Sequence, residues 1–201
     1  MTNIRSTVGA QATKVAPMSR EMLDVLGEGD LGLLRAIQAR DRSALEMLYL
    51  GYRKRLGLFL RRFIYCTDTV EEVINDSFMV VWTRAHDFRS ESQVSTWIFG
   101  IAYRIAMKAL RSRSMAHRLT EDEDLPEPAI HPTVDAELLD WIEVGLKSLP
   151  VDQRLTVRLA YQYGFSVDEI AVIMASPVGT VKSRMFHARV KLRARAFELG
   201  A

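Results

Sequence analysis

Cys66 is the only cysteine in the 201 residues. One thiol can neither close an internal disulfide nor build a cysteine-based zinc site, and a reducing compartment such as the cytoplasm is its simplest setting. The histidines at positions 86, 117, 131 and 187 show no metal-ligand spacing, and neither a phosphate-cradling glycine loop nor a Ser/His/Asp or Cys/His set stands out. Catalysis is therefore not expected, nor is a metal or a cofactor. No run approaches the roughly 20 apolar residues of a spanning helix, and the first 17 residues lack the apolar stretch of a signal peptide. The expectation is a chain that is neither secreted nor inserted in a membrane.

What is present is apolar residues in helical register and charge in blocks. At 48% hydrophobic residues the chain can bury a real core in one or two domains. The formal net charge of +2 hides a strong division. Residues 1–30 hold 3 basic against 4 acidic side chains, 31–114 hold 14 against 8, 115–145 hold 1 against 9, and 146–201 hold 9 against 4. Two basic blocks joined by an acidic one imply two separate contacts with a polyanion, each neutralised phosphate releasing counterions, and one of these contacts need not be to duplex.

The most specific stretch is Ser166 to Arg184. Ser166 and Glu169 have the spacing of a capping box, after which Val167, Ile170, Ala171 and Met174 share a face. Ser176 is a candidate cap for the next helix, with Pro177 at its first position, where a missing N–H costs nothing. Val181, Met185, Ala188 and Leu192 then form a buried stripe. The opposite side carries Thr180, Ser183, Arg184 and His187, flanked by Lys182, Arg189, Lys191 and Arg193. Short hydrogen-bonding side chains near a helix start, backed by cations, suit a recognition helix that meets base edges while its cations hold phosphates. An amphipathic surface helix with a solvated basic face is the plainer reading.

From Leu31 to Ser114 the pattern predicts an all-α domain of four helices with almost no strand signal: Leu31 to Ala39; Ser43 to Tyr65, capped by Asp41 or Ser43; one from Thr69, with Thr69 and Glu72 as a capping box; and Ser95 to Arg113. The third helix turns Glu71, Glu72, Asn75, Asp76 and Met79 away from its apolar face. The fourth has a basic side of Arg104, Lys108 and Arg111. Before it runs the polar loop Asp87 to Ser95. Aromatics beside cations can hold unstacked bases, although Trp97 and Phe99 at a helix start also suit core anchors.

Residues 121–135 contain three prolines and no period, which predicts a linker stiffened by proline and extended by like charge. The expected division is an aperiodic, disordered extension over 1–30, a helical domain over 31–114, an acidic linker over 115–135 and a helix-turn-helix domain over 136–201. In the last, Leu138, Trp141, Ile142, Val144 and Leu146 open the apolar pattern, and Pro150 opens a helix that Gly164 closes.

Together the stretches Thr69 to Trp82, Phe88 to Ser92, Thr96 to Ala102, Leu149 to Arg154 and Pro177 to Arg184 resemble, in order and spacing, the bacterial RNA polymerase sigma factors of the extracytoplasmic-function (ECF) group. The resemblance covers roughly residues 31–197. It implies a dissociable subunit of core RNA polymerase with two helical domains, sigma regions two and four. Region two would dock on the polymerase through Glu71, Glu72, Asn75, Asp76 and Met79. It would capture a base of the downstream (minus 10) element with Phe88, Arg89, Ser90 and Ser92 beside Trp97, and hold the melted strand with Arg104, Lys108 and Arg111. Region four would read the upstream (minus 35) element with Lys182, Ser183, Phe186 and His187. The acidic linker resembles the segment that runs through the polymerase toward the RNA exit path. An anti-sigma protein is a further implied partner.

The chain departs from the common pattern at Gly100 and His187, where Arg is frequent, and at Arg104 and Lys108, where Asn and Asp are. A stand-alone helix-turn-helix repressor or activator with an N-terminal effector domain accounts for Ser166 to Arg184 equally well. It leaves the basic fourth helix of the first domain unexplained.

Overall fold

The computed structural model describes residues 20–117 and 144–198, with side chains over 29–112 and 144–195. The expectations for residues 1–19, for most of the acidic linker and for Leu138, Trp141 and Ile142 fall outside the described residues. Among the described residues every regular element is helical, in agreement with the all-α expectation. The order is α1 (Arg20–Gln38), α2 (Arg42–Leu60), α3 (Thr67–Arg84), a 3-10 turn (Ala85–Asp87), α4 (Val94–His117), α5 (Val151–Tyr161), α6 (Val167–Ile173) and α7 (Val178–Glu198). A helical turn at residues 144–147 precedes α5.

Local chemistry sets several boundaries. The Asp41 carboxylate accepts the backbone N–H groups of Ser43 at 2.8 Å and Ala44 at 3.3 Å, which starts α2. Pro150 caps α5 from a φ of −51°, and Gly164, at a φ of 74°, takes the left-handed turn after its end. Ser166 and Glu169 close the expected capping box: Ser166 N–H donates to Glu169 Oε2 at 2.8 Å, and Glu169 N–H donates to Ser166 Oγ at 3.3 Å. Ser166→Ala is expected to lower stability by about 1 kcal/mol, read as a fall in the thermal midpoint.

Elsewhere the expected bounds need correction. Helix α1 begins at Arg20, so residues 20–30 are helix rather than part of a disordered extension. Gly27 and Gly29 each cost a helix about 1 kcal/mol relative to Ala, which weakens the helical signal of this stretch. Tertiary docking offsets the cost, because the buried Tyr52 hydroxyl donates to Asp30. Thr69 does not cap α3; the helix starts at Thr67 after Cys66, and Thr69 is buried within it. Helix α4 runs past Arg113 to His117, so the first residues assigned to the acidic linker are helical.

The core follows the apolar stripes: Leu48, Tyr52, Leu56 and Phe59 from α2, Val70, Val73, Ile74, Phe78 and Val81 from α3, and Ile98, Phe99, Ala102 and Ala106 from α4. It does not stop at the N-terminal helices. Leu155, Leu159, Tyr163, Phe165, Ile170 and Ile173 belong to the same buried cluster. Phe99 sits at its centre, with ring centroids 5.3 Å from Phe59, 5.4 Å from Tyr163 and 5.1 Å from Phe165. Such pairs contribute roughly 0.5–1.5 kcal/mol each beyond their burial. A smaller cluster of Leu146, Leu149, Val157, Met185 and Ala188 seats α7 on α5.

Candidate nucleic-acid interface

Helices α6 and α7 meet through a turn that the sequence conceals. Ser176 N–H reaches back to the Ala171 carbonyl at 3.0 Å and Ala175 N–H to that of Val172 at 3.3 Å, with Ala175 at a φ of 47°. This is a Schellman closure carried by alanine, where glycine is the residue without a steric penalty. Ser176 does not act as the expected cap of α7. Its hydroxyl donates to the Met174 carbonyl at 3.2 Å and accepts from Arg184 Nη1 at 3.1 Å. The Pro177 carbonyl takes Thr180 N–H at 2.9 Å and Val181 N–H at 3.1 Å as the helix begins.

The α7 stripe of Val181, Met185 and Ala188 is buried, and Leu192 packs against it. Thr180, Lys182, Ser183, Phe186, His187 and Arg189 are exposed on the same helix. Phe186 stands out, at 62% exposed, with its ring 5.5 Å from that of His187. Arg184 is placed differently: it is half-buried and forms an ion pair with Asp152 of α5 while holding Ser176. Its guanidinium ties α7 to the turn and to α5 instead of standing free for a base edge. Arg189 is oriented by Tyr161, whose hydroxyl accepts from Nε at 3.1 Å and Nη2 at 2.9 Å. A tyrosine on α5 that aims a cation of α7 carries no signal in sequence spacing.

On α4, Arg104, Lys108 and Arg111 are exposed, and partial desolvation lowers the pKa of Arg104. The loop before α4 turns through Ser90 at a φ of 57°. Arg89 and Ser90 are exposed, whereas Ser92 is half-buried and donates to the Gln93 carbonyl at 3.4 Å. Phe88 and Trp97 are half-buried with ring centroids 5.4 Å apart. Trp97 and Arg104 also line an open cavity of about 280 Å³ with Val80, Arg84, Asp87, Ile101 and Ile105. Of the two aromatics weighed as base platforms or core anchors, Phe99 is an anchor, while Trp97 serves both the core and this cavity. Arg84 and Asp87 escaped the sequence reading, because the end of α3 meets α4 only in the fold.

The third surface lies on α3. Glu72, Asn75, Asp76 and Met79 are exposed, Met79 at 60%, and Glu71 is half-buried in a 3.1 Å ion pair with Arg53. Tyr49 donates to Asn75 Oδ1 at 3.2 Å, so α2 braces this face. The same helix leaves Met47 and Leu50 exposed. Their signal is legible in retrospect as apolar residues off the buried α2 stripe.

The two groups of helices have counterparts in a known family. Residues 48–115 match the family model described as Sigma-70 region 2, and residues 139–192 that of Sigma-70, region 4. The helical fold and these two matches together define a transcription protein of the sigma-70 type. Over 176 residues the chain is 30% identical to the RNA polymerase sigma-H factor of Pseudomonas aeruginosa, covering 81% of this chain and 91% of that protein. It is also 30% identical over 176 residues to the ECF RNA polymerase sigma-E factor of Escherichia coli K12, covering 80% and 90%. Among solved structures it is similar to the sigma factor RpoE of Bartonella quintana in complex with the anti-sigma factor NepR, with a TM-score of 0.64, 25% identity, and coverage of 78% of this chain and 98% of that one. CnrH in complex with the cytosolic domain of CnrY shares the fold, with a TM-score of 0.60, 23% identity, and coverage of 86% and 99%. The chain belongs to the ECF sigma factors, which are non-enzymatic transcription initiation factors. No helix among the described residues is long and apolar enough to cross a membrane.

Proposed function

We propose that the chain binds core RNA polymerase, recognises promoter DNA at an upstream and a downstream element, and nucleates melting at the second. The observation that carries this reading is the pair of solvent-facing basic faces on α4 and α7, set apart from an acidic-polar face on α3. Region two acts over residues 31–114, extended by α1, and region four over 136–201, joined through the acidic linker. Glu71, Glu72, Asn75, Asp76 and Met79 form the polymerase-docking face. Phe88, Arg89, Ser90, Ser92 and Trp97 receive a downstream base in or beside the 280 Å³ cavity, and Arg104, Lys108 and Arg111 hold the displaced strand. Thr180, Lys182, Ser183, Phe186, His187 and Arg189 meet the upstream duplex, while Arg184 positions the helix that carries them. No cofactor enters the scheme, and the cytoplasm is the compartment in which it operates.

The work is binding rather than covalent chemistry. Opening a duplex costs unstacking and unpairing, so the protein must hold an extruded base and a single strand more tightly than it holds duplex, and polymerase docking contributes the remainder. The relatives solved with anti-sigma proteins support a similar inhibitor here, since exposed polymerase and DNA faces need occlusion when no signal is present.

The upstream contact is tested by two substitutions on α7. Ser183→Ala is expected to relax base preference at one or two positions. Arg189→Ala should weaken all sequences alike and reduce the salt slope by about 1. Affinities for a panel of upstream duplexes at several salt concentrations give both readouts, and uniform losses from both substitutions would show that the register of α7 on DNA is wrong. A repressor would instead footprint promoter DNA without polymerase.

A further inference from the structure

One exposed cation of α7 is held in place by a side chain from another helix. Lys182, Phe186, Arg189 and Arg193 follow one another at spacings of four, three and four, which puts them on one face of α7. Phe186, Arg189 and Arg193 line an open groove of about 470 Å³ with Val190 and Ala194. Tyr161, the last residue of α5, stands beside this face at 59% exposed, its ring centroid 5.9 Å from Arg189 Cζ. Little of its area serves the core.

The Tyr161 hydroxyl accepts from Arg189 Nε at 3.1 Å and from Nη2 at 2.9 Å. A phenolic oxygen offers two lone pairs and one proton. Arg189 occupies the lone pairs, and among the described residues no acceptor takes the proton, which points away from the cation into solvent. The guanidinium is a planar fork of five N–H donors. Tyr161 takes the edge made by Nε and Nη2, and the Nη1 end keeps its protons for another acceptor. Among the described residues no carboxylate pairs with Arg189, whereas Asp152 neutralises Arg184 on the same helix. A phenol therefore does here what a carboxylate could not: it orients the cation without cancelling its charge.

An oriented guanidinium with an outward O–H beside it matches an anion that presents two oxygens, as a backbone phosphate does. Fixing the fork in advance also removes part of the ordering cost that a long side chain otherwise bears on binding. On the reading of α7 as the helix that meets the upstream duplex, we propose that Tyr161 and Arg189 form a clamp on one DNA phosphate. Tyr161 fixes the guanidinium and donates its own O–H to one non-bridging oxygen, and the Nη1 end of Arg189 donates to the other. Helix α5 thus joins the upstream contact and sets the position of α7 on the duplex without reading a base.

Full-length variants assembled with core polymerase test the clamp through their affinity for promoter duplex across a salt series. Tyr161→Phe keeps the ring and the charge of Arg189 but removes the oxygen. Its affinity is expected to fall about 10-fold for all upstream sequences alike, with the salt slope unchanged because no cation is lost. Tyr161→Glu places a carboxylate against Arg189, so the slope should fall by about 1, as it does when the cation itself is removed. In an Arg189→Ala background, Tyr161→Phe should cost no more than about threefold, since the two side chains act on one phosphate. A scan of single methylphosphonates should find one position whose neutralisation weakens the wild type and leaves the Tyr161→Phe, Arg189→Ala double variant unaffected. Wild-type affinity of Tyr161→Phe would overturn the clamp, as would an undiminished 10-fold loss in the absence of Arg189. Wild-type protein whose binding is indifferent to the upstream sequence would instead overturn the reading of α7, and the clamp with it.

Discussion

Lys108→Glu is expected to leave promoter binding in place and abolish opening. The side chain is exposed on α4, one turn from Arg104 and close to Arg111, and nothing in the core depends on it. A glutamate there puts a like charge beside the strand that must be held, a juxtaposition that costs on the order of 3 kcal/mol, or roughly 100-fold in the open population. Helix α7 is untouched, so the upstream footprint should persist. Permanganate reactivity of unpaired thymines reads opening directly. A template already unpaired across the downstream element separates nucleation from retention: rescue by the bubble places Lys108 in nucleating melting, and no rescue places it in holding the strand afterwards. Wild-type opening on duplex DNA would remove this face of α4 from the mechanism.

The second large effect is expected on α3. Asp76 and Met79 are exposed, one turn apart in spacing, whereas Glu71 is tied to Arg53 and Asn75 accepts a hydrogen bond from Tyr49. Changing Asp76 to Lys together with Met79 to Ala therefore alters the surface without breaking a bridge between α2 and α3. Truncating central contacts in an interface typically costs about 2 kcal/mol or more, so association with core polymerase should weaken by at least roughly 30-fold. Helical content and thermal midpoint should match the wild type. Co-purification of the double variant at wild-type yield would take this face out of the docking reading.

Much of this is legible in the sequence. The α7 stripe of Val181, Met185 and Ala188 is buried as its spacing requires, and Ser166 with Glu169 closes its capping box. Asp41 and Pro150 start the helices that they precede. These are local matters, decided within a turn or two by hydrogen-bond supply and by the side on which apolar atoms fall. The family resemblance is of the same kind, since it rests on short motifs in order.

Where the sequence reading failed, a distant partner had intervened. Residues 20–30 read as part of an aperiodic extension, yet they belong to α1, whose Asp30 accepts from the distant Tyr52 hydroxyl. Arg184 looked like a base reader from its side of the wheel, yet Asp152, thirty-two positions earlier, holds it inward. The linker suggested independent domains, but Phe99, Tyr163 and Phe165 share one core across it. Sequence alone therefore determined an all-α chain with two basic helical modules and a helix-turn-helix, because periodicity and capping are short-range. Only the tertiary structure decided which cations stay free and that the modules meet, because those outcomes depend on burial and charge brought together from opposite ends of the chain.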